Sequence, residues 1–537
     1  MKKTLCIVLI TAMLLSIMPM VVFAETPAGT AISTVDELKA IGATGEYYLA
    51  NDITISGNWD LATVFNGTLN GNGHTIYFAD GVTIAGGLFR ELQGDCTIKN
   101  LNIVQLGTAT YNATTSSQLS GATIEGIGAL AALAYGDFKT TTITNVSVYA
   151  NITASGRNVG GLIGEVRYNN LDMSYCVFNG SITTTGGEDN YGTAGMVGGT
   201  WQRAATFNIQ YCVNYGTITA ESFAGGIFGT NRVGDDKSDN GLRNTRIMYC
   251  LNYGDVTSTK SEYAGGIFAR YMMNDQAFEV RFKNNINYGA IKNTNTTEKK
   301  QQIAAGIGGG YRGSSNANNN SQLMGNINYG TLTASWVSNM VANPWTGSIK
   351  SRDKNFCGTE YSGGYGSALI TDAEAVVTEL NNAFGSQIYT TLPNGKITLI
   401  WAYTDATLVG VQLSEIVGEE GSETRSVRFV GGIGEEFGDL DNLGIIIVAI
   451  DSNGKRIKMF EGKTDTVYKT LKAGGEDVYA EDYGKTYFYT AVVNNIPVSL
   501  GELTFELIPF EIADGVVTYG YQGSVTVDLA KVETPAA

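Results

Sequence analysis

Between about positions 45 and 365, apolar residues fall in short runs broken by glycine, asparagine and polar stretches, with no sustained helical periodicity. The runs themselves recur. One motif reads YCVNYGTITA at 211–220, YCLNYGDVTS at 249–258, NINYGAIK at 285–292 and NINYGTLT at 326–333. A second alternates with it: AGGLFRE at 85–91, GALAAL at 128–133, GGLIGE at 160–165, AGMVGG at 194–199, AGGIFGT at 224–230, AGGIFAR at 264–270 and AAGIGGG at 304–310. Aligned on the small residue before its first large apolar one, the second motif falls at 87, 129, 161, 195, 226, 266 and 306. Its steps are 42, 32, 34, 31, 40 and 40 residues. The NYG glycines, with Gly180 as a variant copy, are Gly180, Gly216, Gly254, Gly289 and Gly330, with steps of 36, 38, 35 and 41. Two unlike motifs keep one irregular period.

Short β-rich runs, glycine corners and loops of variable length at this period predict the coils of a right-handed parallel β-helix, about seven or eight of them. A propeller blade of similar length would need four strands and an aromatic-Asp signature, which the repeats lack. Caps are expected at both ends. TVDELKA at 34–40 carries a capping box in Thr34 and Glu37. TDAEAVVTELNNAFG at 371–385 repeats that logic with Thr371 and Glu374, and sets Val376, Val377, Leu380 and Phe384 on one helical face. Such a helix could cover the open end of the solenoid, whose strand edges invite aggregation. ITLIWAY at 397–403 reads as a closing strand. Beyond about 410 the repeat stops. SVRFVGGI, LGIIIVAI, KTYFYTAVV, LTFELIPFEI and GSVTVDL read as strands of a small antiparallel β-sandwich, with acidic loops at 418–423 and 434–441. The expected organisation is a leader over 1–24, a solenoid over 25–405 and a sandwich over 406–537.

The leader expectation comes from Lys2 and Lys3, an apolar run, and Val22-Phe23-Ala24 before a cleavage point after Ala24. It makes the protein secreted, or attached to the cell surface. No later apolar stretch approaches the ~18 residues of a transmembrane helix. Loss of the two lysines takes the formal charge from −16 to −18. An acidic chain without a basic cluster excludes nucleic acid and anionic membranes as expected partners. Five cysteines remain: Cys96, Cys176, Cys212, Cys250 and Cys357. The number is odd, there is no CxxC pair, and three occupy equivalent repeat positions, so packing roles are expected instead of a disulfide framework. His74 is the sole histidine, and no nucleophile is suggested beside it.

GGLIG, AGGIFG and AGMVG resemble the GLUG motif, repeated on secreted and surface proteins of bacteria. The stretches DELKAIGATGEYYLANDITI, FNGTLNGNGHTI, GGLF and TIKNLNI resemble the start of such β-helical regions, so the likeness covers roughly residues 30–402. The tail is similar to small β modules ending surface proteins of Gram-positive gut bacteria. The resemblance implies an extracellular β-helix with adhesive or polysaccharide-related roles. It brings no catalytic residues. The copies GALAAL and AAGIGGG depart from the motif.

Three kinds of candidate chemistry follow. The glycine strings lack the following helix that a phosphate loop needs, so they are read as coil corners. The loop at 234–246 sets Asp235, Asp236 and Asp239 beside Arg243 and Arg246, the best place for Ca²⁺ or a sugar acid, and GGEDN at 186–190 is a second polar cluster. Tyr215, Tyr253, Tyr288 and Tyr329 would stack at the strand separation of about 4.8 Å. If they face outwards, they form an aromatic strip for a ligand. Asn214, Asn252, Asn287 and Asn328 would stack beside them and hold a turn. The register stays open, because Val213, Leu251, Ile286 and Ile327 alternate with Cys212 and Cys250 and either set could face the core. The expected function is non-catalytic surface binding or adhesion, directed at an extracellular glycan or another host or cell-surface ligand. The alternatives are a polysaccharide lyase or glycoside hydrolase, whose paired carboxylates or Ca²⁺-assisted base the loop would supply, and a structural spacer.

Overall fold

A computed structural model describes residues 28–399 and 412–530 apart from short segments, chiefly 116–122, 187–190, 202–205, 233–243, 273–278, 297–300, 313–319, 362–366, 418–423, 434–442 and 480–486. The leader, and the acidic loops at 418–423 and 434–441, lie outside the described residues. The solenoid has three faces of parallel strands, formed by sheets of 23, seven and nine strands. One coil shows the plan. Thr206–Gln210, Val213–Asn214 and Thr217–Ala220 lie on the first face, Phe223–Gly225 on the second and Phe228–Arg232 on the third. Coils stack in register, so Thr206 aligns with Asn244, Asn244 with Glu279 and Glu279 with Asn320. Variable step lengths are absorbed in the connections, since a strand that slipped would turn its core residues outwards. One apolar core runs from Ile32 to Ile349.

The two repeated motifs share a period because they interlock across that core. A Cβ on Gly161, Gly226 or Gly266 would meet a carbonyl oxygen of the following coil at 2.1, 2.0 and 2.1 Å. A Cβ on Gly254, Gly289 or Gly330 would meet the glycine carbonyl of the preceding coil at 1.9, 2.0 and 1.9 Å. Both rows therefore need glycine for close backbone approach. The asparagines join them: the Oδ1 of Asn214, Asn252 and Asn287 would lie 2.5–2.6 Å from a Cβ on Gly195, Gly226 and Gly266. Each asparagine also hands its amide to the next coil, Asn214 to Asn252 at 2.7 Å, Asn252 to Asn287 at 2.7 Å and Asn287 to Asn328 at 2.8 Å. The same amides bond the carbonyls of Gly216, Gly254 and Gly289 at 3.0, 2.9 and 3.0 Å, holding the NYG turn. Where the second motif departs from its pattern, the fold persists: Gly126–Gly128 and Ile303–Ala305 are strands of the same seven-stranded face.

Helix α1, Val35–Lys39, carries the expected capping box, and its Leu38 is buried in the solenoid core beside Ile32 and Ile41. Helix α2, Ala373–Phe384, differs from expectation in two ways. Its N-cap is Asp372, one residue after Thr371, because the Asp372 carboxylate accepts from the Ala375 N–H at 3.1 Å. It also does not close the open end. With the antiparallel hairpin of Tyr389–Thr391 and Ile397–Leu399, it lies along the side of the solenoid, on the outward row Val213, Leu251, Ile286 and Ile327. Val376, Leu380, Tyr389, Ile397 and Leu399 are buried there in a second core. This strap settles the open register. Cys176, Cys212 and Cys250 face the solenoid core, the aliphatic row faces the strap, and both are buried.

Beyond residue 412, two antiparallel sheets form a sandwich. Thr424–Ile433 is paired by Gln412–Val417 and Tyr487–Pro497 in one sheet, and Leu443–Ile450 by Arg456–Lys463 and Glu502–Ala513 in the other. Phe429 and Phe505 meet between the sheets with ring centroids 5.2 Å apart.

Candidate functional site

Tyr215, Tyr253, Tyr288 and Tyr329 do point away from the solenoid core and stack, with successive centroids 5.1, 4.5 and 5.5 Å apart. The planes are nearly parallel, at 12°, 6° and 7°, so the ring faces contact one another. All four pack against the strap core. The Tyr288 hydroxyl donates to the Ile397 carbonyl at 2.5 Å, the Tyr329 hydroxyl accepts from the Ile397 N–H at 2.8 Å, and the Lys396 ammonium sits over both rings at 5.7 and 5.5 Å. Burial, followed for Tyr288 by its tyrosine neighbours, raises both phenol pKa values. The occupant of this strip is a segment of the chain itself.

A second tyrosine ladder escaped the sequence reading. Tyr175, Tyr211 and Tyr249 stack at 4.9 and 4.9 Å with interplanar angles of 6° and 4°. They stand at the corner where the first long strand of each coil gives way to the NYG strand, and each has positive φ: 54°, 54° and 57°. The corner demands this in eight successive coils, through Asn100, Asn145, Tyr175, Tyr211, Tyr249, Asn284, Gly325 and Lys354, at φ between 53° and 70°. Asparagine and glycine suit a left-handed corner, whereas a bulky ring there is held at a cost of order 1–3 kcal/mol. All three rings are partly exposed, and Tyr249 also packs against the strap core. Burial, then the neighbouring Tyr249 and Tyr175, pushes the Tyr211 phenol up to about 12. The signal was available in the residue before each cysteine, but only the backbone shows its strain.

Beside this ladder, the outward positions of the first long strand form polar rows. Asp172, Asn208, Arg246, Arg281 and Gln322 occupy one row in register, and Ser174, Gln210, Met248, Lys283 and Met324 the next. Arg246 donates to Glu279 Oε2 from Nε at 3.1 Å and Nη2 at 2.6 Å, and Arg281 pairs with the other oxygen of the same carboxylate. The resulting face is rich in planar hydrogen-bonding groups.

Asp235, Asp236, Asp239 and Arg243 lie outside the described residues, as do 187–190 of the second polar loop. Arg246 is described, and its partner is Glu279. Among the described residues no three metal-ligating side chains come together. In the sequence, 187–190 fall between Val177–Thr184 of the first face and Gly192–Ala194 of the second, and 233–243 between Phe228–Arg232 of the third face and Asn244–Met248 of the first. His74 Nδ1 stands 3.3 Å from Asp52 Oδ1, which also accepts the Thr75 N–H at 2.9 Å. Burial raises the Asp52 pKa, but the hydrogen bonds with His74 and the Thr75 N–H outweigh it, leaving it lowered. The five described cysteines are free and buried, and burial raises the thiol pKa of Cys176 and Cys212 well above the usual value. Among the described residues no helix is long and apolar enough to cross a membrane.

No known protein family matches the sequence, and no curated protein is significantly similar. A solved structure from Bacteroides ovatus, provisionally described as an immunoglobulin A1 protease, aligns over 70% of this chain and 95% of its own at 16% identity. Its TM-score is 0.33.

Proposed function

We propose that this is an exported, surface-acting binding protein that holds an extracellular glycan along the outer side of its first face and performs no chemistry on it. The ladder of Tyr175, Tyr211 and Tyr249 carries the reading. Three successive coils keep a bulky aromatic ring in a backbone conformation that neighbouring coils give to asparagine or glycine. Strain retained at a partly exposed position argues for a function. Ring stacking offsets part of it, at about 0.5–1.5 kcal/mol per pair. The ladder adjoins rows of Asp, Asn, Gln and Arg side chains advancing by about 4.8 Å per coil. Such a face can follow an extended polysaccharide, hydrogen-bonding successive hydroxyls while the sugar's apolar patches rest on ring edges. The leader expected over residues 1–24 would deliver the chain to where such ligands lie.

A glycan array probed with the mature protein, followed by a product assay on every hit, tests this. We expect binding to at least one polysaccharide class, no cleavage, and at least a tenfold loss of affinity in Tyr211→Ala with the melting temperature of the solenoid little changed. Cleavage of a hit would replace this reading with the lyase or hydrolase alternative. Absence of any hit would leave a structural spacer.

A further inference from the structure

The polar face is not uniform in charge. In a chain of net charge −16, Arg246, Arg281 and Lys283 stand on two adjacent coils with one carboxylate, Glu279, between them. Asp353 also acts on Lys283, so among the described residues three cations meet two carboxylates, a local excess of one positive charge. Glu279 divides its two oxygens between the guanidiniums, so neither arginine has a carboxylate to itself. Arg281 Nε is buried without a hydrogen-bond partner. Lys283 makes no ion pair among the described residues. Its ammonium lies 5.1 Å from the centroid of the Phe384 ring on α2, which holds it beside the cluster. Burial and the Arg281 charge both lower its pKa, against Asp353, consistent with like charges crowded together. The cluster is continuous with the tyrosine ladder, since the Tyr249 N–H bonds the Lys283 carbonyl at 3.1 Å.

We propose that Arg246, Arg281 and Lys283 form a subsite for an oxyanion carried on the bound glycan, either a uronate carboxylate or a sulfate ester. The inference rests on the glycan-binding reading and adds the class of substituent. Guanidinium presents a planar fork to such an oxyanion, and the ammonium adds a mobile donor. The sugar ring bearing the charge would stand against Tyr249, with the rest of the chain running along Tyr211 and Tyr175. The excess charge is local, so recognition is short-ranged and acts against the repulsion that the net acidity of the protein exerts on any polyanion.

The test uses the mature full chain, with polygalacturonate for the carboxylate, dextran sulfate for the sulfate, dextran as neutral polymer, and inorganic sulfate alone. We expect at least one anionic polymer to bind tenfold or more tighter than dextran. Arg281→Gln and Lys283→Gln should each lower that affinity about tenfold, while exposed Lys292→Gln leaves it unchanged. Melting curves confirm that the variants fold, and Lys283→Gln, whose ammonium makes no ion pair among the described residues, serves should Arg281→Gln not. The carboxylate and sulfate arms tell the two oxyanions apart. Equal affinity for charged and neutral polymers, or unchanged binding in both variants, overturns the subsite while leaving a neutral-glycan reading intact. Equal affinity for inorganic sulfate and polymer overturns the link to the glycan. No binding to any polymer, or to any array glycan, defeats both readings together.

Discussion

Each conserved-looking slot in YCVNYGTITA answers to a different neighbour at the scale of single residues. In the next copy, YCLNYGDVTS, Gly254 answers to the Gly216 carbonyl of the preceding coil, Asn252 to the amides of Asn214 and Asn287, Leu251 to the strap and Tyr249 to a strained corner. This ranks the substitutions. Asn252→Ala leaves the buried Asn214 amide with the Gly216 carbonyl as its remaining acceptor, removes the donor to Asn287 and to the Gly254 carbonyl, and should destabilise the solenoid by about 3 kcal/mol. Gly254→Ala places a carbon 1.9 Å from the Gly216 oxygen, which no side-chain rotation relieves, and should cost more than Asn252→Ala. Chemical denaturation of the two variants checks the order. A larger loss in Asn252→Ala would mean the coils can spread to admit a methyl group. Sequence reasoning saw the asparagine and glycine slots and gave them their turn-forming role, because those residue types have few other uses. It left the tyrosines undecided for a physical reason: a ring at either face of a β-strand satisfies the same pattern, and only the packed neighbour tells them apart.

The strap is where pattern and structure diverge among the elements. Alternation normally marks one face of a strand as core and the other as solvent. In the NYG strands both faces are apolar, because residues 373–399, more than a hundred positions away from Val213, bury the outer one. Nothing local encodes that contact. The helix itself was legible from Val376, Val377, Leu380 and Phe384, but its docking place was not, since an apolar helical face fits the end of a solenoid as well as its flank. Two outcomes follow. Leu380→Ala removes a fully buried side chain at the strap core and should cost about 2–5 kcal/mol. Hydrogen exchange should then show the amides of 373–399 losing protection while those of Thr206–Gln210 keep theirs; simultaneous loss would make the strap part of one cooperative unit with the coils. The second outcome concerns pH. Tyr288, Tyr329 and Tyr389 have pKa values raised by burial from 10.0. A raised folded pKa stabilises fully below the unfolded value and is lost as pH rises towards the folded one. The Tyr288 proton, moreover, is the one donated to Ile397. Strap protection should therefore begin to fall above about pH 10, within the range where ionisation of the buried Cys176 and Cys212 thiols, raised from 9.0, also weakens the solenoid core. Exchange and tyrosinate absorbance followed between about pH 9 and 11.5 would show it, and strap protection that stays unchanged across that range would contradict it.

Across the whole molecule, the physics of the two halves differs. In a solenoid each coil contacts its neighbours alone, so stability is close to a sum of coil and interface terms and a defect acts locally. A sandwich buries one shared core, and a defect there acts on every strand. The sequence announced this division where the repeat ended near residue 410, because a change from repeated glycine corners to alternating strands is a change of packing rule. The separate cores make a reciprocal prediction. Phe505→Ala, which removes the ring packed on Phe429, should cost about 3–5 kcal/mol and weaken exchange protection across Thr424–Ile433 and Leu443–Ile450 together. It should leave the coils unchanged. Gly254→Ala should do the converse, opening the coils around residues 216–289 first, with the sandwich strands protected throughout. Both variants can be followed by hydrogen exchange in the intact chain. If either one loosens both halves to the same degree, the chain unfolds as one unit and the division at 410 is only a change of pattern. If the two effects stay apart, the first face with its tyrosine ladder can be altered, coil by coil, without disturbing the module that follows it.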